Sequence, residues 1–135
     1  MKIHTRRIVL AGMLSMLLTA CANFQTKPED VVTQRINARW QALIKGEMET
    51  AYGFSAPGYR AAIDLTTFKG RTGIAGRWLG VQVVRVECDQ PTRCKAAVRL
   101  EYSTLIPGFS KTTMNTHIDE TWLLEDGQWW IFQQL

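Results

Sequence analysis

The pattern of hydrophobic and polar residues between 28 and 135 changes its period once, near Trp78. Before this point, apolar residues recur every three or four positions, as on one face of a helix. These residues are Val32, Ile36, Trp40, Leu43 and Ile44. After it, apolar and polar residues alternate, which is typical of half-buried strands. The pattern therefore predicts helices first and strands second.

The ends of the first helix are marked in the sequence. Pro28-Glu29-Asp30 suits a first turn, because proline tolerates that position and the acids complement the positive end of the helix dipole. Gly46 is predicted as the C-cap. We expect Arg35, Arg39 and Lys45 to stay off the apolar face. Two short helices, over 47–52 and 59–68, and a loop over 71–76 are predicted next.

Four strands are predicted in the alternating region, over 79–88, 94–103, 112–124 and 128–133. Asp126-Gly127 is the signal of a tight hairpin between the last two. Helices followed by an antiparallel meander predict an α+β fold, in which the N-terminal helices pack on one face of a four-stranded antiparallel sheet.

The first twenty residues have the three parts of a cleaved secretory signal. A basic start is followed by an apolar run over 8–18, which is too short to span a hydrocarbon core about 30 Å thick as a helix. The run ends in Leu18-Thr19-Ala20-Cys21, which resembles the lipobox of bacterial lipoproteins. The resemblance implies cleavage before Cys21 and acylation of that cysteine. An ordinary signal peptide with a chance cysteine is the alternative.

The predicted organisation is a signal peptide over 1–20, a lipidated tether over 21–27 and a single domain over 28–135. Ala22, rather than an aspartate, follows the cysteine. Among lipoproteins this favours the outer membrane, so we expect a lipid-anchored protein on its periplasmic face in the cell envelope.

Charge and cysteine content restrict the function further. Three of the 16 Lys and Arg residues lie in the signal, which leaves 13 against 12 acidic residues. This balance does not predict a nucleic-acid partner, which requires a clustered basic face. In an oxidising envelope, Cys88 and Cys94 are predicted to form a disulfide; a metal or redox pair is the alternative. The sequence predicts no metal site and no cofactor, since it contains no ligand cluster, phosphate loop or nucleophile motif.

Several short stretches carry a family resemblance. They are Arg39-Trp40-Gln41-Ala42-Leu43, Gly46-Glu47, Ala51-Tyr52, Ser55-Ala56-Pro57-Gly58-Tyr59-Arg60, Glu120-Thr121-Trp122 and Gly127-Gln128-Trp129-Trp130. Together they resemble the nuclear transport factor 2-like superfamily, also called cystatin-like. The resemblance covers nearly all of 28–135 and implies a curved sheet wrapped around the first helix as a cone. The superfamily includes ketosteroid isomerases, SnoaL-like polyketide cyclases, dehydratases, transport adaptors and small envelope domains, so the fold does not fix the function.

Enzymes of this superfamily use an acid, or a His–Asp pair, at the mouth of the cone. Glu120 alternates with Ile118 and Trp122, so it is predicted to face inward, where a desolvated carboxylate could act as a general base. The alternative is a partly buried glutamate paired with an arginine, the candidates being Arg39, Arg60 and Arg77.

His117 and Asp119 lie two positions apart and share one face of the same strand. They could pass protons as a dyad. That face also carries Asn115 and Thr121, so we expect both residues to be solvated instead.

Aromatic residues are the other candidate site feature. We expect Trp40, Tyr52, Tyr59, Trp78 and Trp122 to form core and cone wall, or alternatively a pocket for an apolar ligand or a partner's side chain. Trp129 and Trp130 are adjacent and are predicted to face opposite ways. With Ile131 or Phe132, the outward one would form an apolar patch suited to a homodimer through the sheet.

The function predicted from these features is that of a lipid-anchored envelope lipoprotein, a non-enzymatic binding or structural module. Its expected partners are the membrane, through Cys21, and an envelope protein or a small apolar ligand. The alternative is a small-molecule isomerase, cyclase or hydrolase that uses Glu120 as base and Tyr52 or Tyr59 as donor.

Overall fold

The computed structural model describes residues 26–72, 76–109 and 112–135. The predicted signal peptide, Cys21 and most of the predicted tether lie outside these ranges. Four helices come first: α1 (Pro28–Lys45), α2 (Met48–Tyr52), α3 (Pro57–Ala62) and α4 (Leu65–Thr72). Four strands follow: β1 (Gly76–Gln90), β2 (Arg93–Thr104), β3 (Thr113–Glu125) and β4 (Gln128–Ile131).

The ends of α1 carry the predicted signals. Pro28 occupies the first turn, and Glu29 and Asp30 follow it there. Gly46 has φ +76°, a left-handed conformation that glycine adopts without a steric penalty, and its N–H caps the last turn. Four of the five predicted apolar positions are buried: Val32, Ile36, Trp40 and Leu43.

Two predictions about the helices are wrong. Arg39, expected off the apolar face, is only 6% exposed, because it has a buried counter-charge. The single helix expected over 59–68 is two helices separated at Ile63, which is extended at φ −120° and ψ 113°. Asp64 then starts α4 by accepting a hydrogen bond from the N–H of Thr67 (2.7 Å), as an N-cap residue does.

The sheet is antiparallel throughout, in the order β1-β2-β3-β4. Pairing of β1 with β2 is shifted at three places, and such bulges bend a strand. The α1 helix packs mainly on β1. The outer edge of β4 is covered by the chain before α3, where the N–H of Ile131 donates to the carbonyl of Phe54 (3.1 Å), so this edge is not open for pairing. The expected α+β architecture is confirmed.

The core lies between the helices and one face of the sheet. It comprises fifteen buried apolar residues drawn from α1 through β4, with Trp122, Phe68 and Ile36 the largest of those fully enclosed. All of them lie between Val32 and Ile131, so the helices and the sheet of the described residues enclose one continuous core. No helix among the described residues has the length and apolarity needed to span a membrane.

A disulfide joins Cys88 and Cys94, as predicted. It links the last residues of β1 to the start of β2 across the turn at Pro91-Thr92. Cys94 is fully buried, so the bridge ties this hairpin to the core.

Candidate functional site

Glu120 lies at the point where the sheet narrows from four strands to three. The β4 strand ends at Ile131, which pairs with Trp122, so Glu120 stands just past the end of β4. Its side chain points to the helix side of the sheet and only 5% of the residue is exposed. A charged carboxylate in such a place requires partners within the protein.

Three donors supply that need. Oε1 of Glu120 accepts from Nη1 of Arg39 (3.1 Å) and from Nε1 of Trp40 (2.8 Å). Oε2 accepts from Nε1 of Trp122 (2.9 Å). Arg39 also provides the counter-charge. The carboxylate is therefore bound on both oxygens by groups from α1 and from its own strand.

Burial disfavours the charged form of Arg39. Desolvation lowers the pKa of Arg39 from its ordinary value, while the charge of Glu120 and, to a smaller extent, Tyr59 act in the opposite direction. Nε of Arg39 is buried without a hydrogen-bond partner. The guanidinium is thus held mainly by its contact with Glu120, and losing that contact would leave a buried charge without compensation.

An open cleft of about 600 Å³ lies beside this ion pair. Its wall includes Trp40 and Trp78, whose rings meet edge to face with centroids 5.1 Å apart. Such a volume is within the range of roughly 300–1,000 Å³ that small-molecule sites occupy. The full lining is Arg39, Trp40, Arg71, Thr72, Trp78, Leu100, Ile118, Asp119, Glu120, Thr121, Ile131, Phe132 and Gln134.

The other aromatic candidates lie elsewhere. The hydroxyl of Tyr52 donates to the carbonyl of Ile63 (2.6 Å), and the carbonyl of Arg60 lies 3.1 Å from the same oxygen, so Tyr52 closes the end of α3. Tyr59 is buried and borders a separate hollow of about 350 Å³. Trp122 is fully buried behind Glu120. The cleft therefore contains two of the five aromatic residues singled out in the sequence.

His117 and Asp119 are both exposed on the outer face of β3. Asp119 reaches the rim of the cleft, whereas His117 is not part of its lining. The structure thus places His117 outside the cleft and leaves Asp119 at its rim, on the face of β3 opposite to the buried side chain of Glu120.

The C-terminal tryptophans occupy different surroundings. Trp129 is buried, and Ile131 with it. Trp130 is half-buried beneath the guanidinium groups of Arg60 (5.4 Å) and Arg35 (5.5 Å), at cation–π distance. Phe132 is 53% exposed. The homodimer expected from this region stays a prediction.

Sequence reasoning missed Arg71, at the end of α4, and Leu100, on β2. The alternation of β2 assigns Leu100 to the inner face, but no local signal shows that it borders a cleft rather than the packed core. Within the described ranges, no three His, Cys, Asp or Glu side chains are grouped so as to hold a metal ion.

Comparison with known proteins gives the fold but no closer relationship. No family model matches the sequence, and no curated protein matches it significantly. A SEC-C motif-containing protein from Psychrobacter arcticus aligns with a TM-score of 0.61 at 14% identity, over 82% of this chain and 63% of that one. This chain thus spans less than two thirds of that protein.

Two other solved structures are similar over most of their own length. One is a nuclear transport factor 2-like protein of unknown function from Shewanella oneidensis MR-1 (TM-score 0.56, 13% identity, 76% of this chain and 92% of that one). The other is a candidate polyketide cyclase from Xanthomonas campestris (TM-score 0.50, 17% identity, 78% and 92%). At such low identity the likeness concerns the fold alone: the chain has the helices-then-sheet, cone-like fold of nuclear transport factor 2-like proteins.

Proposed function

We propose that this protein is a lipid-anchored envelope domain that binds, without transforming it, a small and mainly apolar molecule in the open cleft. The observation that carries the proposal is the state of Glu120. Its carboxylate is bound by three donors beside a cleft large enough for a ligand. Taking a proton from a substrate would require it to give up part of that network.

The lining of the cleft supports an apolar ligand with a polar end. Trp40, Trp78 and Ile118 offer flat and branched apolar surface, and tryptophan contributes large contact area at low entropic cost. Arg71 and Gln134 supply polar groups at the same site. An anionic or hydrogen-bonding end of the ligand would meet these residues while its apolar part lies against the rings.

The start of α1 limits how far the domain would lie from a lipid on Cys21. Pro28 starts the helix seven positions after Cys21, so a tether of this length spans at most about 25 Å. Arg35 lies near Trp122 and Trp40 near Trp78, so α1 runs from the hairpin end of the sheet towards the cleft. A lipid on Cys21 would hold the domain within about 25 Å of the membrane surface.

Binding is tested with the fluorescent probe 1-anilinonaphthalene-8-sulfonate, which joins an apolar ring system to an anionic group, and with residues 22–135. Trp78→Ala is expected to weaken binding of the probe about tenfold or more, since it removes one wall of the cleft. Trp130→Ala, a tryptophan outside the cleft, serves as the control. Equal affinities for the wild type and Trp78→Ala, with the near-UV circular dichroism otherwise retained, would reject the cleft as the site.

Anchoring is tested separately in cells of a Gram-negative host. Incorporation of an alkyne-tagged fatty acid is expected in the wild type and not in Cys21→Ser. Membrane fractions should lose the variant protein to the soluble periplasmic fraction. Equal fatty-acid labelling of both proteins would exclude Cys21 as the lipid attachment site, whatever the cleft binds.

The second candidate function is a small-molecule isomerase, cyclase or hydrolase. It is favoured by the position of Glu120 in the wall of the cleft and by the fold shared with a candidate polyketide cyclase. It requires a donor across from the carboxylate, and neither Tyr52 nor Tyr59 is in that lining. A Glu120→Gln variant that retained full stability would favour this function over simple binding.

A further inference from the structure

The connection between β2 and β3 carries three exposed apolar side chains. Leu105 is 68% exposed, Ile106 57% and Phe109 58%. They surround Pro107 and Gly108, and the N–H of Phe109 donates to the carbonyl of Ile106 (3.0 Å), which closes a tight turn. None of the three packs against the core. We call Leu105, Ile106 and Phe109 the apolar tip.

The apolar tip lies at the cleft end of the domain. The ring of Tyr102 is 6.0 Å from that of Trp78, which lines the cleft, and Leu105 follows Tyr102 by three residues, or about 10 Å of strand. Arg35 is over Trp122 near the other end of β3, so the start of α1 lies at the opposite end of the sheet. The tip and the N-terminus of the domain therefore face different ways.

Positive charges outnumber negative ones where β1 and β2 lead to the apolar tip. The nearest acid before the tip in the sequence, Glu101, lies 3.9 Å from Arg99, and no aspartate or glutamate follows it until Asp119. On the neighbouring strand, Arg77 pairs with Ser103 and its side chain is exposed. Large apolar side chains on a tight turn, next to the exposed cation of Arg77, suit an interface that is apolar inside and anionic at its surface.

We propose that the apolar tip inserts into the surface of an anionic phospholipid bilayer. Leu105, Ile106 and Phe109 enter the boundary between headgroups and acyl chains, and Arg77 contacts the phosphates. This contact is independent of a lipid on Cys21 and of a ligand in the cleft. It brings the mouth of the cleft to the membrane surface.

The first test is sedimentation of residues 22–135, which lack Cys21, with vesicles of phosphatidylethanolamine and phosphatidylglycerol. The combined variant Leu105→Ser, Ile106→Ser, Phe109→Ser is expected to lower the partition coefficient at least about tenfold, because each apolar side chain contributes to insertion. Arg77→Gln should lower it about fivefold. Vesicles of phosphatidylcholine alone should bind the wild type more weakly than the anionic ones.

The matched control removes the same kinds of side chain elsewhere. Val84 and Leu135 are 56% and 75% exposed and lie outside the cleft lining, so Val84→Ser, Leu135→Ser deletes exposed apolar surface away from both the tip and the cleft. It is expected to retain wild-type partitioning. Equal losses in this variant and in the tip variant would overturn the proposal, since binding would then follow general hydrophobicity.

A second measurement reports insertion directly. A nitrobenzoxadiazole probe on Phe109→Cys is expected to shift its emission to the blue and brighten on addition of anionic vesicles, while the same probe on Val84→Cys should not. No shift at position 109 would contradict the proposal. A different outcome would also contradict it: the wild type does not bind vesicles but forms a dimer in sedimentation velocity, and the tip variant is a monomer. The tip would then be a contact between two copies of this chain.

Discussion

Trp40 and Glu120 are 80 positions apart in the chain, and the indole N–H of Trp40 donates to Oε1 of Glu120 at 2.8 Å. The neighbouring residue, Arg39, donates to the same oxygen. Two consecutive residues of α1 thus hold one carboxylate of β3. The contact fixes how the C-terminal half of α1 lies on the sheet at the wall of the cleft.

Glu120→Gln is expected to destabilise the domain by about 3 kcal/mol. The substitution keeps the shape but removes the charge that offsets Arg39, and breaking one side of a buried ion pair is costly. The glutamine also presents an N–H₂ to at least one indole donor. Urea unfolding followed by circular dichroism measures the change.

The adjacent acid provides the control for this variant. Asp119→Asn alters a carboxylate on the exposed face and is expected to change stability by less than about 0.5 kcal/mol. If Glu120→Gln were as stable as Asp119→Asn, the ion pair would not be a structural element, and a chemical role for Glu120 would become the better explanation of its burial.

The spacing of apolar and polar residues in the sequence predicted much of the arrangement around Glu120. The alternation along β3 placed Glu120 inward and His117 and Asp119 outward, since successive side chains of a strand face opposite ways. The alternation could not identify Arg39, rather than Arg60 or Arg77, as the partner of Glu120, because Arg39 and Glu120 are 81 positions apart in the chain. Arg39 also sits at the margin of the apolar stripe of α1, where a charged side chain reads as exposed unless its buried partner is known.

The cleft was less predictable than the fold. Trp40 and Trp78 line the cleft, whereas Tyr52 and Trp122 do not. All four are aromatic, and aromatic side chains occur both in protein cores and in the walls of pockets. What separates them is where β4 ends and how α4 approaches β1. These depend on contacts between distant segments rather than on any local pattern.

Gly46→Ala is expected to destabilise the domain by about 1 kcal/mol. Gly46 has φ +76° at the C-cap of α1 and a Cβ there would meet no atom within 4 Å, so the cost comes from the left-handed backbone alone. Gly70→Ala is the matched control. It also has free space for a Cβ but lies within α4 without a positive φ, so alanine should stabilise the domain by about 0.4–1 kcal/mol.

These two glycine variants are compared by thermal unfolding. Opposite shifts of Tm are expected, downward for Gly46→Ala and upward for Gly70→Ala. A downward shift of similar size in both would mean that loss of glycine, rather than the conformation at the end of α1, determines the effect.

Reduction of the Cys88–Cys94 disulfide is expected to cost about 2 kcal/mol, because the bridge closes a short loop and restricts the unfolded chain only modestly. Urea unfolding of residues 22–135, with and without a reducing agent, measures this. The variant Cys88→Ser, Cys94→Ser should respond equally with and without the agent. A loss well above that figure would indicate that the bridge holds the buried start of β2 in place as well.

Asp89 and Arg93 flank the same turn, and their ion pair predicts a dependence on pH. A hydrogen bond from Arg93 lowers the pKa of Asp89 below the ordinary value of 3.8, with smaller effects of the charges of Arg93 and Lys95. Because the folded pKa lies below the unfolded one, this carboxylate stabilises the domain above about pH 3.8, and the contribution is lost as the pH falls through the folded pKa.

Carboxyl-carbon NMR of the folded protein follows this titration. Arg93→Gln is expected to move the pKa of Asp89 back towards 3.8, while the titration of Asp64 stays where it was. The pKa of Asp64 is also lowered, mainly by the backbone N–H of Thr67, which the substitution does not affect. If both carboxyls moved together, a general change in the charge of the domain would explain the shift better than the contact with Arg93.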